Sequence, residues 1–142
     1  QAEVFDRQVQ MRLDSLDIFR PGDIAYIHAS GACFRVEDPA CEQRRADTFE
    51  ISPTGLMPGK KAMLAQGETG MVEAALLDKE GMTEEHYCAL KGLQLSGERR
   101  PLRVHAAELK CHPLDGGSLQ VEFALPAGSY ATSLIREIAK QE

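Results

Sequence analysis

The residues best suited to chemistry lie in a short stretch near the end of the 142-residue chain. Residues 125–132 read LPAGSYAT, so that Gly128 precedes three hydroxyl side chains, those of Ser129, Tyr130 and Thr132. Glycine permits a sharp turn and the close approach of another group to the backbone. The backbone amides at the start of a helix favour phosphate or carboxylate groups. This stretch therefore suits contact with an anionic group.

The cysteines and histidines form no recognisable catalytic or metal-binding motif. Zinc sites usually contain close pairs of ligands, whereas this sequence has no C-x-x-C pair. The four irregularly spaced cysteines are Cys33, Cys41, Cys88 and Cys111. No serine or cysteine nucleophile has an obvious histidine partner, which argues against a hydrolase site. We expect reduced thiols, and the absence of a secretory segment fits a reducing, cytoplasmic location.

Basic residues are clustered although the formal net charge of the chain is −6. The negative total argues against non-specific binding of nucleic acid over the whole surface. The clusters are Arg44 with Arg45, Lys60 with Lys61, and Arg99 with Arg100 and Arg103. Each is simply explained as solvated surface charge. On one common face, however, the clusters would contact phosphates, and the sequence leaves open whether they share a face.

The overall composition is that of a soluble globular protein with a real core. Hydrophobic residues make up 43% of the chain and charged residues 27%, and no apolar run is long enough to span a membrane. We therefore expect no membrane partner. The chain begins with Gln1 rather than methionine, so we expect it to be part of a longer polypeptide.

The turn lies between a predicted strand and a predicted helix. Apolar and polar residues alternate over 119–125, which predicts a half-buried strand. Pro126 and Gly128 end the strand, and Ser129 is a candidate N-cap for the helix that follows. The apolar face of that helix contains Ala131, Leu134, Ile135, Ile138 and Ala139.

The first half of the chain alternates between helical and extended patterns. Residues 2–16 predict a helix without a local partner, its apolar face formed by Phe5, Val9, Leu13 and Leu16 and its polar side including Gln8 and Arg12. Residues 24–27 and 32–36 predict a β-hairpin. Asp38 is predicted to cap a helix that ends near Ala46.

The second half predicts more helices and then strands. Residues 50–52 predict a strand, whereas the prolines and glycines of 53–59 predict a loop. Helices are predicted over 69–79, buried along Val72, Ala75 and Leu76 and ended by Gly81, and from Thr83 to Gly92. Strands are predicted over 101–104 and 108–112, with a turn at 115–117 before the strand over 119–125. The order indicates an α+β fold with a mixed or antiparallel sheet and short helices.

The stretch LPAGSYAT, followed by Arg136 and Glu137, resembles the C-terminal signature of the tRNA pseudouridine synthase D (TruD) family. Residues 2–9 resemble the helix that precedes the insertion domain of that family. Residues 22–34, 43–45 and 55–59 resemble landmarks of the insertion domain itself. The resemblance implies a helix of the catalytic domain over 1–21, the insertion (TRUD) domain over 22–100, and the closing strands and helix of the catalytic domain over 101–142.

The resemblance implies isomerisation of uridine to pseudouridine in tRNA, by an aspartate nucleophile and without a metal or organic cofactor. The family carries that aspartate in a glycine-x-lysine-aspartate motif and shapes the pocket with an asparagine-tyrosine-phenylalanine-glycine segment, and neither is present here. Gly59, Lys60 and Lys61 lack the aspartate, and Asp78 with Lys79 lacks the glycine. We therefore expect a fragment that is inactive alone and whose partners are tRNA and the missing N-terminal catalytic portion.

The resemblance also assigns residues to two kinds of site. The active-site wall is expected to contain Gly128, Ser129, Tyr130 and Thr132, although Tyr130 would equally well pack between helix and sheet. The RNA-binding residues are expected to be Arg44, Arg45, Lys60, Lys61, Arg99, Arg100 and Arg103. Two alternatives stay open. One is a stand-alone RNA-binding module, and the other is an interaction domain that self-associates through the apolar face of helix 2–16.

Overall fold

The computed structural model describes residues 1–81 and 96–140 of the chain. The helix predicted from Thr83 to Gly92 lies outside these residues. The described residues contain no helix that is both long enough and apolar enough to cross a membrane. The chain forms two compact units, Gln1–Arg103 and Val104–Glu142. The division into catalytic and insertion domains that the family resemblance implies stays a prediction.

In residues 1–81 and 96–103, the first unit combines a four-stranded antiparallel sheet with three α-helices. The helices are α1 (Ala2–Met11), α2 (Pro39–Asp47) and α3 (Gly67–Lys79), and a short 3-10 helix covers Leu13–Ser15. The strands are β1 (Ile24–Ile27), β2 (Cys33–Arg35), β3 (Ile51–Met57) and β4 (Glu98–Pro101), in the sheet order β2-β1-β3-β4. All three strand pairs are antiparallel. The predicted α+β class and the predicted hairpin of β1 and β2 are thus confirmed.

The second unit contains an antiparallel hairpin and one helix. Strand β5 (Ala107–Pro113) pairs with β6 (Leu119–Ala124), and a 3-10 turn over Asp115–Gly117 connects them. Helix α4 (Ala131–Ala139) follows. The strands predicted over 108–112 and 119–125 and the turn between them are confirmed. The strand predicted over 101–104 is wrong, because β4 precedes it and ends at Pro101.

The core of the first unit lies where α2 covers the strands. Buried apolar side chains from the sheet, from α2 and from the adjoining loops form one cluster of Phe19, Ala25, Val36, Ala46 and Ile51. Burying a large apolar side chain stabilises a fold by about 1.5–3 kcal/mol. Burial against the sheet therefore decides the orientation of the short helix α2.

Strand β3 continues through residues that were predicted to form a loop. It extends to Met57 across Pro53 and Gly55, with the first of these opposite Ala25 of β1. A Cβ on Gly55 would lie 2.8 Å from Cδ2 of Phe5 in α1. The glycine therefore provides space for a helix to pack on the strand, rather than a turn, which is why the loop prediction is wrong.

Helix α1 buries a different face from the predicted one. Its buried stripe is Val4, Gln8 and Arg12, at a spacing of four residues, whereas Leu13 is 64% exposed. The Gln8 amide donates to the carbonyl of Leu56 (3.1 Å) and accepts from the Leu56 amide (2.9 Å). Gln8 and Arg12, both predicted on the polar side, are thus buried, and Gln8 is buried because the β3 backbone offers it hydrogen-bond partners. The helix thus has partners within its own unit, in β3 and α3, and self-association through its exposed residues stays a hypothesis.

Helix α3 confirms its predicted extent but not its predicted buried edge. The helix ends at Lys79, and Gly81 beyond it has a positive φ of 67°, as expected of a glycine stop. Leu76 is buried as predicted, but Ala75 is exposed and Glu73 takes its place in the interior. The reason is an ion pair with Arg99, which partly offsets the cost of burying the carboxylate.

The N-cap of α2 gives a first testable prediction. The Asp38 carboxylate accepts hydrogen bonds from the amides of Ala40 (3.0 Å) and Cys41 (3.4 Å), as predicted. Because an N-cap of this kind satisfies amides that lack helical partners, Asp38→Ala is expected to lower the free energy of unfolding by about 1 kcal/mol. Urea denaturation measures the change. The control Asp6→Ala, at an exposed site within α1, should stay within about 0.5 kcal/mol of the parent.

Candidate active-site turn and nucleic-acid-binding residues

The turn before α4 is closed by one backbone hydrogen bond. The amide of Ser129 donates to the carbonyl of Pro126 (3.1 Å), and Gly128 between them has a positive φ of 87°, which favours glycine. Helix α4 begins at Ala131, and the residue at its N-cap position is Tyr130, whose side chain makes no capping hydrogen bond. The prediction of Ser129 as N-cap is therefore wrong by one residue, since Ser129 is the last residue of the turn and Tyr130 follows it at the N-cap position.

The side chains of this turn are accessible in the second unit. Tyr130 is 75% exposed, so in the described part of the chain it does not pack between helix and sheet. Thr132 is exposed and Ser129 is half-buried. On the apolar face of α4, Ile135 and Ile138 are 44% and 43% exposed. Hydroxyl groups, a glycine turn and the amides of a helix start are thus open to an anionic or planar group.

Two of the predicted RNA-binding arginines are structural. The side chain of Arg99 is only 1% exposed, and it pairs with Glu73 (Nη1 to Oε1, 2.8 Å) and donates from Nε to Thr54 Oγ1 (2.9 Å). Arg103 donates from Nε to Ser52 Oγ (2.9 Å) and stacks 4.1 Å from the ring of Phe49. Burial lowers the pKa of Arg103. A phosphate contact needs an accessible cation, so the prediction that Arg99 contacts RNA is not retained.

Arg45 lies near the start of β3, and Lys60 and Lys61 lie just after its end. Arg45 is half-buried and pairs with Glu42 (3.0 Å) and Glu50 (2.9 Å), the latter just before β3 begins. Lys60 and Lys61 are exposed just after β3 ends, where the amide of Lys61 donates to Ser96 O, two residues before β4. A strand rises about 3.3 Å per residue, so the seven residues of β3 keep these clusters well apart.

The exposed cations are therefore fewer than the sequence indicates. Arg44 on α2 is exposed, and the side chain of Arg100 on β4 is 41% exposed beside Glu98 (3.0 Å). Together with Lys60 and Lys61 these are the predicted residues available for phosphate contacts. The loop after β3 and strand β4 bring Lys60, Lys61 and Arg100 onto neighbouring segments, whereas Arg44 lies on another element.

A buried ion pair that the sequence analysis missed connects α1 to the start of β1. Arg12 donates from Nη1 and Nη2 to the two carboxylate oxygens of Asp23, both at 2.8 Å, and Asp23 is fully buried. The same carboxylate accepts from the amide of Arg20 (2.8 Å) and from Thr69 Oγ1 (3.0 Å). The spacing of Val4, Gln8 and Arg12 could have indicated this burial, because residues four apart lie on the same helical face and would share the buried side of the valine.

A second buried ion pair, Glu73 with Arg99, gives a prediction about pH. Burial is the largest influence on Glu73 and raises its pKa above the ordinary value of 4.5, an effect that the nearby Arg99 only partly offsets. The folded state therefore binds the Glu73 proton more tightly than the unfolded state does. This contribution to stability is fully present below pH 4.5 and is lost as pH rises through the raised pKa.

The Glu73→Gln variant tests this pH dependence because glutamine does not titrate. The free energy of unfolding of the parent, minus that of Glu73→Gln, is expected to decrease as pH rises above about 4.5. Urea denaturation at several pH values measures the difference. A difference that grows with pH over that range would contradict the prediction, since it would indicate a lowered pKa.

The described residues offer little for a metal. They contain no group of three or more His, Cys, Asp or Glu side chains that could hold a metal ion. The thiols of Cys33, Cys41 and Cys111 form no disulfide among the described residues, and Cys88 lies outside them.

Comparison with known proteins matches the chain along nearly its whole length. The sequence profile of the family "tRNA pseudouridine synthase D (TruD)" matches residues 1–138. The tRNA pseudouridine synthase D of Syntrophotalea carbinolica is 48% identical over 142 residues, which are all of this chain and 35% of that protein. A tRNA pseudouridine synthase D of Thermus thermophilus is 45% identical over 134 residues, which are 94% of this chain and 36% of that protein.

A solved structure shows the same fold. A crystal structure described as tRNA pseudouridine synthase D from Methanosarcina mazei has a TM-score of 0.73 at 23% identity, covering 98% of this chain and 36% of that one. The chain thus spans about a third of the length of the relatives that it matches. Because the family profile covers all but the last four residues, the chain belongs to the tRNA pseudouridine synthase D family.

Proposed function

We propose that this chain forms one part of a tRNA pseudouridine synthase, which isomerises a uridine of tRNA to pseudouridine. The observation that carries the proposal is the match to the family over residues 1–138, together with 48% identity to a relative over the full 142 residues. In the reaction the target base leaves its stack, and an aspartate carboxylate takes part covalently while the C1′–N1 bond breaks. The uracil then turns, C5 bonds to C1′ as the bond to the aspartate breaks, the hydrogen at C5 leaves as a proton, and N1 takes up a proton.

The nucleophile of the proposed reaction belongs to another part of the protein. The glycine-x-lysine-aspartate motif that holds it in the family does not occur in this sequence, and the chain spans only about a third of its relatives. We therefore propose that these residues alone are inactive and that the remaining catalytic portion supplies the aspartate. Proposed action on tRNA places the activity in the cytoplasm.

The turn before α4 is proposed to line the active site. Gly128, with its positive φ, allows close backbone approach, and Ser129, Tyr130 and Thr132 present hydroxyl groups beside it. The exposure of Tyr130 supports this role, because a tyrosine that contacts a flipped base must be free of internal packing. Helix α4 exposes the apolar residues Ile135 and Ile138, which form a surface that the remaining catalytic portion would cover.

Reconstitution tests the proposed division of the active site. The substrate is tRNA whose uridines carry tritium at C5, because the new C5–C1′ bond releases that hydrogen to water. This chain alone should release none. The chain together with the remaining portion of the Syntrophotalea carbinolica enzyme, the relative at 48% identity, should release tritium. As a control, the remaining portion with its nucleophilic aspartate changed to asparagine should give no tritium release. Tritium release by this chain alone would refute the proposal that the nucleophile lies outside it.

The exposed lysines after β3 give a prediction about tRNA binding. Because each phosphate contact releases condensed counterions, Lys60→Ala and Lys61→Ala together should weaken binding of tRNA. They should also make the slope of log K against log salt less steep by about 1–2. Fluorescence anisotropy at several salt concentrations measures the slope. Lys79→Ala, an exposed lysine on α3, is the matched control, and an equal effect of this control would show a general charge effect instead.

A stand-alone RNA-binding module is the second candidate function. The first unit supports it, because Gln1–Arg103 is compact and has a core of its own. This hypothesis predicts that the tRNA affinity of the chain does not rise when the remaining catalytic portion is added. Fluorescence anisotropy of tRNA binding, with and without that portion, therefore separates the two candidates.

A further inference from the structure

A small, partly open cavity of the first unit lies between α1, β3 and α3, and its lining includes the exposed side chains of Met11 and Glu68. Its volume is about 30 Å³, and its lining also includes Arg12 of the segment after α1, Thr54 of β3, and Thr69, Val72 and Glu73 of α3. The cavity thus reaches both buried ion pairs, Arg12 with Asp23 and Glu73 with Arg99. Because each pair is internally neutralised, the cavity does not call for a charged ligand.

Arg12 has an unused donor in this region. The residue is 7% exposed, and both terminal nitrogens are occupied by the carboxylate of Asp23. The remaining Nε–H points away from the edge of the guanidinium that Asp23 binds, is buried, and has no hydrogen-bond partner among the described residues. A buried N–H without a partner costs about 1–3 kcal/mol, and more on a charged group, so an acceptor is expected there.

Glu73 offers a complementary acceptor. Its residue is 3% exposed, and Oε2 accepts from the amide of Ala65 (3.3 Å). Oε1 lies 2.8 Å from Nη1 of Arg99, its ion-pair partner, and no other group of the described part of the chain hydrogen-bonds to it. The oxygen therefore has lone pairs to spare in a cavity that also holds an unused N–H.

We propose that this cavity is a binding site for ordered water, which accepts from Arg12 Nε–H and donates to Glu73 Oε1. A water needs at least about 10–15 Å³ of such volume and two or more polar partners, so the cavity has room for one or two. A single water would bridge the two groups directly, and two waters would form a short chain between them. Thr54 and Thr69 line the same cavity, but their hydroxyl groups already donate to Ile24 O and to Pro21 O, so Arg12 and Glu73 are the main partners of the water.

The bound water connects elements that are distant in sequence. Arg12 is joined to Asp23 at the start of β1, and Glu73 is joined to Arg99 on β4. The water therefore completes one buried polar network across the sheet and both helices that pack beside it. A fully satisfied network of this kind specifies a unique packing, whereas a half-satisfied one destabilises it.

A crystal structure of the chain, with and without xenon pressure, tests the proposal. The expected result is density for one or two waters within about 2.7–3.2 Å of Arg12 Nε and Glu73 Oε1, and no xenon. Xenon enters dry apolar cavities, so xenon at this position would overturn the proposal. An empty cavity, or a protein group bonded to Arg12 Nε, would overturn it as well.

Nuclear magnetic resonance provides a second readout in solution. The Nε–H signal of Arg12, assigned by its loss in Arg12→Lys, should show a cross-relaxation peak to water with the sign of a long-lived bound molecule. The matched control is the Nε–H of Arg45, which donates to Glu50 at an exposed site and should show only short-lived contact with solvent. A peak at Arg12 indistinguishable from that of the control, or its absence, contradicts the proposal.

Discussion

Replacing Asp23 by asparagine is expected to lower the free energy of unfolding by about 3–5 kcal/mol. The reason is that Asp23 is fully buried and is bonded through both oxygens to Arg12, which is only 7% exposed. Asparagine keeps the shape of the side chain but leaves a buried guanidinium without its counter-charge. An amide nitrogen would also replace an acceptor that now serves Arg12 together with the Arg20 amide or Thr69 Oγ1.

Urea denaturation of three variants separates charge from shape. Glu50→Gln removes an ion pair with Arg45 at the surface and should cost only about 0–1 kcal/mol, because exposed pairs are screened by water. The double variant Arg12→Met with Asp23→Asn removes both buried charges and should be more stable than Asp23→Asn alone. A double variant no more stable than Asp23→Asn would show that the unpaired charge is not the cause.

The elements with strong local signals were predictable from the sequence. The hairpin of β1 and β2, the capped helix α2 and the hairpin of β5 and β6 all form where expected. In each case the deciding residues are neighbours in sequence. Asp38 caps a helix that begins at the next residue, and Asp115–Gly117 closes a hairpin between adjacent strands.

The features that were missed depend on partners far away in the chain. Gln8 is buried because its amide matches the backbone of Leu56, 48 residues later. Gly55 is suited to its place in the strand because Phe5 packs where a side chain on residue 55 would lie. Composition and periodicity cannot predict these two contacts, because both depend only on residues that are close in sequence.

The candidate site was predictable only in part for the same reason. Arg99 and Arg100 are adjacent in sequence, but successive side chains of a strand point to opposite faces. The buried member pairs with Glu73, and the other is 41% exposed beside Glu98. A strand predicted to begin at 101 rather than 98 hid this alternation. The turn over 126–132, by contrast, was located by its own glycine and proline.

The second large effect is expected at Gly22. This residue has a positive φ of 86°, and a Cβ built on it would lie 1.6 Å from the carbonyl oxygen of Gln66, which precedes α3. The Gln66 amide donates to the Gly22 carbonyl (3.0 Å), so the two backbones are tied together at this point. Gly22→Ala is therefore expected to lower the free energy of unfolding by about 2–5 kcal/mol, from backbone strain and overpacking together.

Gly31→Ala is the control that isolates the clash from the strain. Gly31 has a similar positive φ of 76° and lies in the same unit, but its added Cβ would meet only Tyr26 Oη, at an ordinary 3.5 Å. This variant should lose about 1–2 kcal/mol, the strain of a left-handed residue alone. The excess loss in Gly22→Ala, measured by urea denaturation, then reports the contact with Gln66. Equal losses of unfolding free energy in the two variants would mean that the start of α3 moves aside at no energetic cost. The Pro21–Gly22 turn would then not fix the position of α3.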